Sequence, residues 1–224
     1  MIKSLSPKVA IQRLRIKFCR DLELKYISHL DLMRLWERAL RRANIPIAYS
    51  EGFNPRSRLA FGSPLAVGIT SESELMDIFL GQRISPNHLT DNISKQLPSG
   101  ITICEVQEVG LKVPSLQSQA SSAKYTVTVE TEKSLKEVGL AVQEFLKCQH
   151  MQWHHVRDTK TREYDIRAQV EDIRVLGFHS NECKLVMKLK ISARPEQVAL
   201  ALGLTNHPKS IHRTNIILDS ATNN

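Results

Sequence analysis

Apolar and polar residues alternate through VAIQRLRIKFCR (9–20), where Ile11, Leu14, Ile16 and Phe18 mark a half-buried strand. The period then changes. ISHLDLMRLWERALRRANIP (27–46) carries Leu32, Met33, Trp36, Ala39, Leu40 and Ala43 on one side of a helix. Ser28 and Asp31 have the spacing of an N-terminal capping box, and Pro46 lies just past the end. IPIAYS restarts an extended segment, and SELMDIFL (73–80) alternates again through Leu75, Ile78 and Leu80. SPNHLTDNISKQLPSG (85–100) opens a second helix with Ser85 as cap and Pro86 at its first position, stopping at Pro98 and Gly100. ITICEVQEVG (101–110) reads as a strand.

The same order then recurs. KYTVTVE (124–130) is a strand, and SLKEVGLAVQEFLKCQH (134–150) is a helix opened by a Ser134/Glu137 capping box. REYDIRAQVEDIRVLGF (162–178) and ECKLVMKLKIS (182–192) read as strands joined by a turn at HSN. RPEQVALALGL (194–204) is a helix with Pro195 in its first turn and Gly203 at its close, and IHRTNIIL (211–218) is the last strand. Each set runs strand, helix, strand, strand, helix, strand. The expected fold is therefore α+β, with two tandem ferredoxin-like (βαββαβ) domains built on antiparallel sheets. The first spans 9–110 and carries a long β2–β3 loop, and the second spans 124–218. Between them the Pro/Ser/Gln-rich stretch 111–123 reads as a linker, and 219–224 as a tail.

Composition narrows the class. Of 224 residues, 42% are apolar and 24% charged, as in ordinary soluble globular chains. The formal net charge of +8 favours polyanionic partners, and both halves contribute about equally, so the excess belongs to the folded body. Cys19, Cys104, Cys148 and Cys183 are too far apart in sequence for a CxxC knuckle or an iron–sulfur run. The basic start, MIKSLSPKVAIQRLRIKF, lacks an apolar core and a cleavage site, and no apolar run could span a bilayer. A cytoplasmic, reduced protein with no metal and no membrane association is expected.

Candidate chemistry gathers in two places. Arg34, Arg38, Arg41 and Arg42 lie opposite the apolar side of the first helix, where guanidinium forks suit phosphate oxygens. Only Glu37 and Asp31 are at hand to balance them, and the bland alternative is a solvated face with local pairs such as Glu37–Arg41. The second place is YSEGFNPRSRLAFGSPLAVGITSESE (49–74), whose glycines and prolines shape the backbone around Phe53, Asn54, Arg56, Arg58 and Phe61. Arginines interleaved with aromatics suit single-stranded RNA, yet the same stretch reads equally as an elaborated strand connection. His29, in the first helical turn, has its cationic form disfavoured there, which suits a neutral base; a packed histidine is the commoner role. No HExxH, GxSxG or P-loop pattern is present.

The stretches S-H-L-D (28–31), S-E-G-F-N-P (50–55) and R-P-E (194–196), set in an otherwise matching chain from about 11 to 218, resemble the radical-SAM-linked family, a domain of unknown function. Members of that family are encoded beside, or fused to the C-terminal end of, a radical S-adenosylmethionine protein, so the resemblance implies a partner that carries the iron–sulfur cluster and binds S-adenosylmethionine; for this chain a separately encoded partner is expected. It implies no cofactor in this chain. It also adds Arg213 to the candidate RNA-contacting residues Arg34, Arg38, Arg41, Arg42, Asn54, Arg56 and Arg58. The function expected is a non-catalytic accessory module that binds RNA, such as tRNA or rRNA, or presents a substrate through a basic surface. Two alternatives remain beside it. One is a docking module for the partner protein without nucleic acid; the other is a metal-independent endoribonuclease similar to CRISPR repeat-processing enzymes, with His29 as its base.

Overall fold

Strand β1 (Gln12–Arg20) sends Leu14, Ile16 and Phe18 to one side and Arg13, Arg15 and Lys17 to the other, as a period of two requires. It begins a computed structural model that describes residues 9–157, 160–205 and 207–219, the side chains of 155–162 excepted. The basic start before Val9 and the expected tail beyond Asp219 lie outside the described residues. The chain divides into two units: one runs to Ala120 and takes in the segment from Leu218, and the other is Ser121–Ile217.

In the first unit β1 pairs antiparallel with β3 (Thr70–Leu80) on one side and β4 (Ile101–Val109) on the other. β2 (Leu59–Phe61) pairs antiparallel with β3, so the strand order is β4-β1-β3-β2. Leu14 stands opposite Ile78 and Ile16 opposite Met76. Helices α1 (His29–Arg42) and α2 (Pro86–Ser94) cover that apolar face through Leu32, Trp36, Ala39, Leu40, Leu89 and Ile93. Trp36 meets Phe18 edge-on, with ring centroids 4.9 Å apart. Both helices start where the sequence places them: Ser28 Oγ accepts the Asp31 N–H and Ser85 Oγ the His88 N–H.

The second unit comprises β5 (Ala120–Glu130), α4 (Leu135–Lys147), β8 (Val170–His179), β9 (Glu182–Lys190), α5 (Pro195–Ala201) and β10 (Ser210–Leu218). Its strand order is β10-β5-β9-β8. Val127, Val129, Leu185, Met187 and Leu189 pack under Val138, Val142 and Phe145 of α4 and Val198 of α5. The Ser134/Glu137 capping box is complete. Between α4 and β8 a hairpin of β6 (Gln152–Arg157) and β7 (Lys160–Asp165) is inserted. No helix among the described residues is long and apolar enough to cross a membrane.

Three local expectations change. First, residues 45–50 do not form the second strand; they make only isolated bridges, Ile47 to Leu80 and Tyr49 to Ser57. The strand lies inside the expected loop, at Leu59–Phe61, leaving 62–69 as the β2–β3 connection. Second, the single strand expected at 162–178 is two. Asp165 accepts the N–H groups of Met151 and Arg167, closing a turn that ends β7 before β8 begins. Third, the stretch expected as a linker holds the short helix α3 (Leu116–Gln119), capped by Ser115, with Leu116 wholly buried.

That third segment explains a further departure. Arg13, Arg15 and Asp77 lie on the sheet face away from α1, yet all three are buried. Asp77 accepts hydrogen bonds from Nε of Arg13 (2.9 Å) and Nε of Arg15 (2.8 Å). Arg13 also donates to the carbonyls of Val113 and Pro114, and Arg15 to Gln119 Oε1 at 3.1 Å. Two guanidiniums share one carboxylate, and the carbonyl oxygens supply the remaining acceptors.

Candidate nucleic-acid interface

Burial of Leu32, Trp36, Ala39 and Leu40 turns the other side of α1 to solvent, and with it Arg34, Arg38, Arg41 and Arg42, all exposed. Arg34 Nη1 lies 3.3 Å from Asp31 Oδ1. The Ser28 hydroxyl, and after it the nearby guanidiniums of Arg34 and Arg38, hold the Asp31 carboxyl below the usual carboxylate range. Arg42 donates to Oε1 and to the backbone oxygen of Gln96, both neutral, so its charge is not cancelled. Among the described residues no carboxylate pairs with Arg38, Arg41 or Arg42, and the local pair Glu37–Arg41 is not formed.

Arg38 and Arg42 reach the end of α2. With Lys95 they flank a groove of about 460 Å³ whose apolar surface comes from Leu35, Leu97 and Pro98. No acidic side chain lines it. Three cations over an apolar floor can neutralise phosphates while a base or ribose rests below them. Lys95 escaped the sequence reading because it follows α2 and meets α1 only in the fold. The signal was present in the run SKQLP, a cation just past the last helical turn.

The loop 50–56 is closed by paired backbone at its base. Ser50 N–H donates to the Arg56 oxygen, and Arg56 N–H to Ser50 Oγ, each at 2.9 Å. Gly52 sits at φ +121°, and Phe53, Asn54 and Arg56 are exposed at the tip. Arg58 departs from this group. Leu59 and Phe61 point toward the helices, so the alternation sends Arg58 to the opposite face, with its guanidinium 4.7 Å from the Phe79 ring centroid. The expected arginines of α1 and Arg58 therefore occupy two faces of the sheet rather than one.

Arg213 differs more. It is 2% exposed, with its guanidinium 5.6 Å from the Tyr125 ring centroid, and does not stand on a surface. His29 packs its ring edge-on against Phe61 at 5.4 Å and has no hydrogen-bond partner among the described residues. That contact is one a packed histidine makes. Among the described residues no group of three or more His, Cys, Asp or Glu side chains is placed to hold a metal ion.

The second unit holds a cavity of about 250 Å³ lined by Tyr164, Gln169, Ser192, Arg194 and Gln197 among others. The Tyr164 hydroxyl donates to Gln197 Oε1, and Ser192 Oγ to Gln169 Oε1 at 2.9 Å. Burial pushes the Tyr164 phenol up, against the opposing pull of Arg194. Of these residues only Arg194 was singled out by a motif; Tyr164 is brought in by the inserted hairpin, which the sequence pattern did not reveal.

Comparison with known proteins adds fold and family. No curated protein sequence matches the chain. Solved structures do. A chain in the crystal structure of a Cbf5-Nop10-Gar1 complex superposes with a TM-score of 0.52 at 10% identity, over 91% of this chain and 48% of that one. A chain in the archaeal box H/ACA sRNP Nop10-Cbf5 complex gives 0.47 at 10% identity, over 95% and 49%. A chain of an H/ACA RNP bound to a substrate RNA containing 2'-deoxyuridine gives 0.46 at 10% identity, over 88% and 46%. This protein thus spans about half the length of the chains it resembles, and at such identity the likeness is one of fold, a mixed α+β architecture rich in antiparallel strands. Residues 13–200 match a single family across most of the sequence, and the chain belongs to it: the family described as "Uncharacterized protein conserved in bacteria (DUF2344)".

Proposed function

We propose that this protein is a non-catalytic accessory module that binds RNA through the groove between α1 and the end of α2. Its partner is a radical S-adenosylmethionine protein, which supplies the iron–sulfur cluster and the chemistry. The observation that carries the RNA reading is the convergence of Arg38, Arg42 and Lys95 on one groove without a lining carboxylate. Exposed Arg34 and Arg41 extend the cationic surface along α1. Polyanion binding needs cations whose charge is not already cancelled, and guanidiniums paired to neutral oxygens meet that need. The partner reading rests on the motif resemblance around 28–31, 50–55 and 194–196. The strand orders β4-β1-β3-β2 and β10-β5-β9-β8 support two ferredoxin-like halves, the form in which we read the fold.

Crosslinking in cells, followed by sequencing of bound RNA and identification of bound protein, tests this reading. RNA attached to peptides of α1 or of 95–98, together with a radical S-adenosylmethionine protein, is the expected result. Recovery of neither RNA nor that partner overturns it. A second reading has one observation in its favour: Phe53 is fully exposed at the tip of a backbone-closed loop. An apolar anchor so presented suits docking on a protein. Capture of the partner that survives high salt and nuclease, and is lost in Phe53→Ser, would select that reading for the loop.

A further inference from the structure

Two thiols 85 positions apart in sequence meet across the β1–β4 ladder, with Cys19 Sγ and Cys104 Sγ 3.1 Å apart. Nothing in the spacing of the cysteines announces this pair. The strand register explains it. Cys19 stands opposite Thr102 and Phe18 opposite Ile103, but Lys17 stands opposite Glu105, so Cys104 is the surplus residue of a bulge. In an unbroken ladder the two cysteines would be diagonal neighbours, with Cα atoms about 7–8 Å apart. The bulge re-aims Cys104 and closes that gap. Cys104 is exposed and Cys19 half-buried, so small reagents reach the pair. The remaining cysteines stand apart from it: Cys148 Sγ donates to the His150 oxygen at 2.9 Å, and Cys183 is buried.

We propose that Cys19 and Cys104 are a redox-active dithiol that closes to an intrachain disulfide when a low-molecular-weight disulfide oxidises it. This is a modification site that goes beyond the RNA reading and does not depend on it. Closing the gap from thiol contact to a bond of about 2.05 Å needs a movement of about 1 Å, within the reach of side-chain rotation in a bulge. The order of events follows from exposure and protonation. Burial, helped by the neighbouring Cys104 sulfur, pushes the Cys19 thiol up to about 12. Cys19 thus stays protonated, and exposed Cys104 is the first nucleophile. Its thiolate attacks one sulfur of the oxidant, forming a mixed disulfide and expelling one thiolate, which takes up a proton. Cys19 then gives up its proton and attacks the Cys104 sulfur, expelling the second thiol. Two protein thiols are oxidised and one small disulfide is reduced to two thiols.

The test is equilibration of the whole protein in buffers of oxidised and reduced glutathione, followed by acid quench, alkylation and mass spectrometry. In the oxidising buffers the expected product is a monomer with two of its four cysteines unalkylated and a Cys19–Cys104 cross-linked peptide, reversed by reductant. Cys148→Ser leaves that product unchanged. In Cys19→Ser the oxidation stops at a glutathione adduct on Cys104, which reports the first step without closure. Full alkylation of all four cysteines in the oxidising buffers overturns the proposal. So do a glutathione adduct that persists in the unmutated chain and a cross-link that involves Cys148 or Cys183. Circular dichroism of Cys19→Ser and Cys104→Ser checks that each is folded; if Cys19→Ser is not, the cross-linked peptide of the unmutated chain decides alone.

Discussion

Replacing Asp77 with asparagine removes one negative charge from a site where two positive charges are buried with it. The substitution keeps the side chain's size, so packing changes little and the electrostatic effect is isolated. Asp77 is 0% exposed, and the Arg13 and Arg15 side chains are 2% and 7% exposed. Its carboxylate accepts from Nε and Nη2 of both arginines. Breaking a buried pair by removing one partner typically costs about 3–5 kcal/mol, because the remaining ion is left uncompensated. Here two guanidiniums lose the carboxylate they share and meet an amide N–H₂ in its place, so the upper half of that range is expected. A domain's whole stability is about 5–15 kcal/mol, which makes the loss severe. Urea denaturation followed by circular dichroism, on the unmutated chain and on Asp77→Asn, measures it through the midpoint at constant slope. Arg174→Gln serves as the reference, because Arg174 and Asp172 form an exposed pair at 2.7 Å, worth about 1 kcal/mol or less. A loss for Asp77→Asn no larger than for Arg174→Gln would refute the argument, since it would mean that water reaches the cluster.

Two other expectations concern segments whose sequence misled. Leu116→Ala should cost about 2–5 kcal/mol in the same assay, because Leu116 is wholly buried; a change near zero would restore the linker reading of 111–123. Asp165, which accepts from Met151, Arg167, Ala168 and His150, has its carboxyl lowered to about 2, chiefly by the Met151 N–H and His150. The unfolded chain titrates near 3.9 (an approximate reference value), so its stabilising share is complete above that pH and is lost as pH falls toward 2. Thermal melts should therefore show Asp165→Asn less stable than the parent at pH 5, with the two converging as pH approaches 2; a constant difference would contradict the assignment.

What was legible in the sequence was local. Ser28, Ser85 and Ser134 cap their own helices within three residues, and Leu32, Trp36, Ala39 and Leu40 repeat at helical spacing, so caps and faces could be read directly. What escaped depends on partners far along the chain. Arg13 and Arg15 alternate with apolar residues and so read as solvent-facing; the return of 113–119 over that face meets both guanidiniums there. The strand at Leu59–Phe61 is three residues long, too short for periodicity to register. The β7–β8 break hides within continuous alternation because Asp165 closes the turn with a side chain rather than with glycine or proline. At the candidate site the four arginines of α1 were visible as a helical face, whereas Lys95 joins them only through tertiary packing. The burial of Arg213 beside Tyr125 had no sequence signal at all.

The central claim is that the cations of the groove and of the adjoining α1 face bind RNA, and the salt dependence of binding tests it most directly. Fluorescence anisotropy with a labelled single-stranded RNA gives the affinity across a salt series, for the parent and for Arg38→Gln/Arg41→Gln/Arg42→Gln/Lys95→Gln. Each lost phosphate contact lowers the slope of log affinity against log salt by about 0.7, so the variant's slope should be shallower by roughly 3. Its melting temperature should stay close to that of the parent, because the four side chains are solvent-facing. Equal slopes for the two proteins, or no binding by the parent at low salt, would contradict the account.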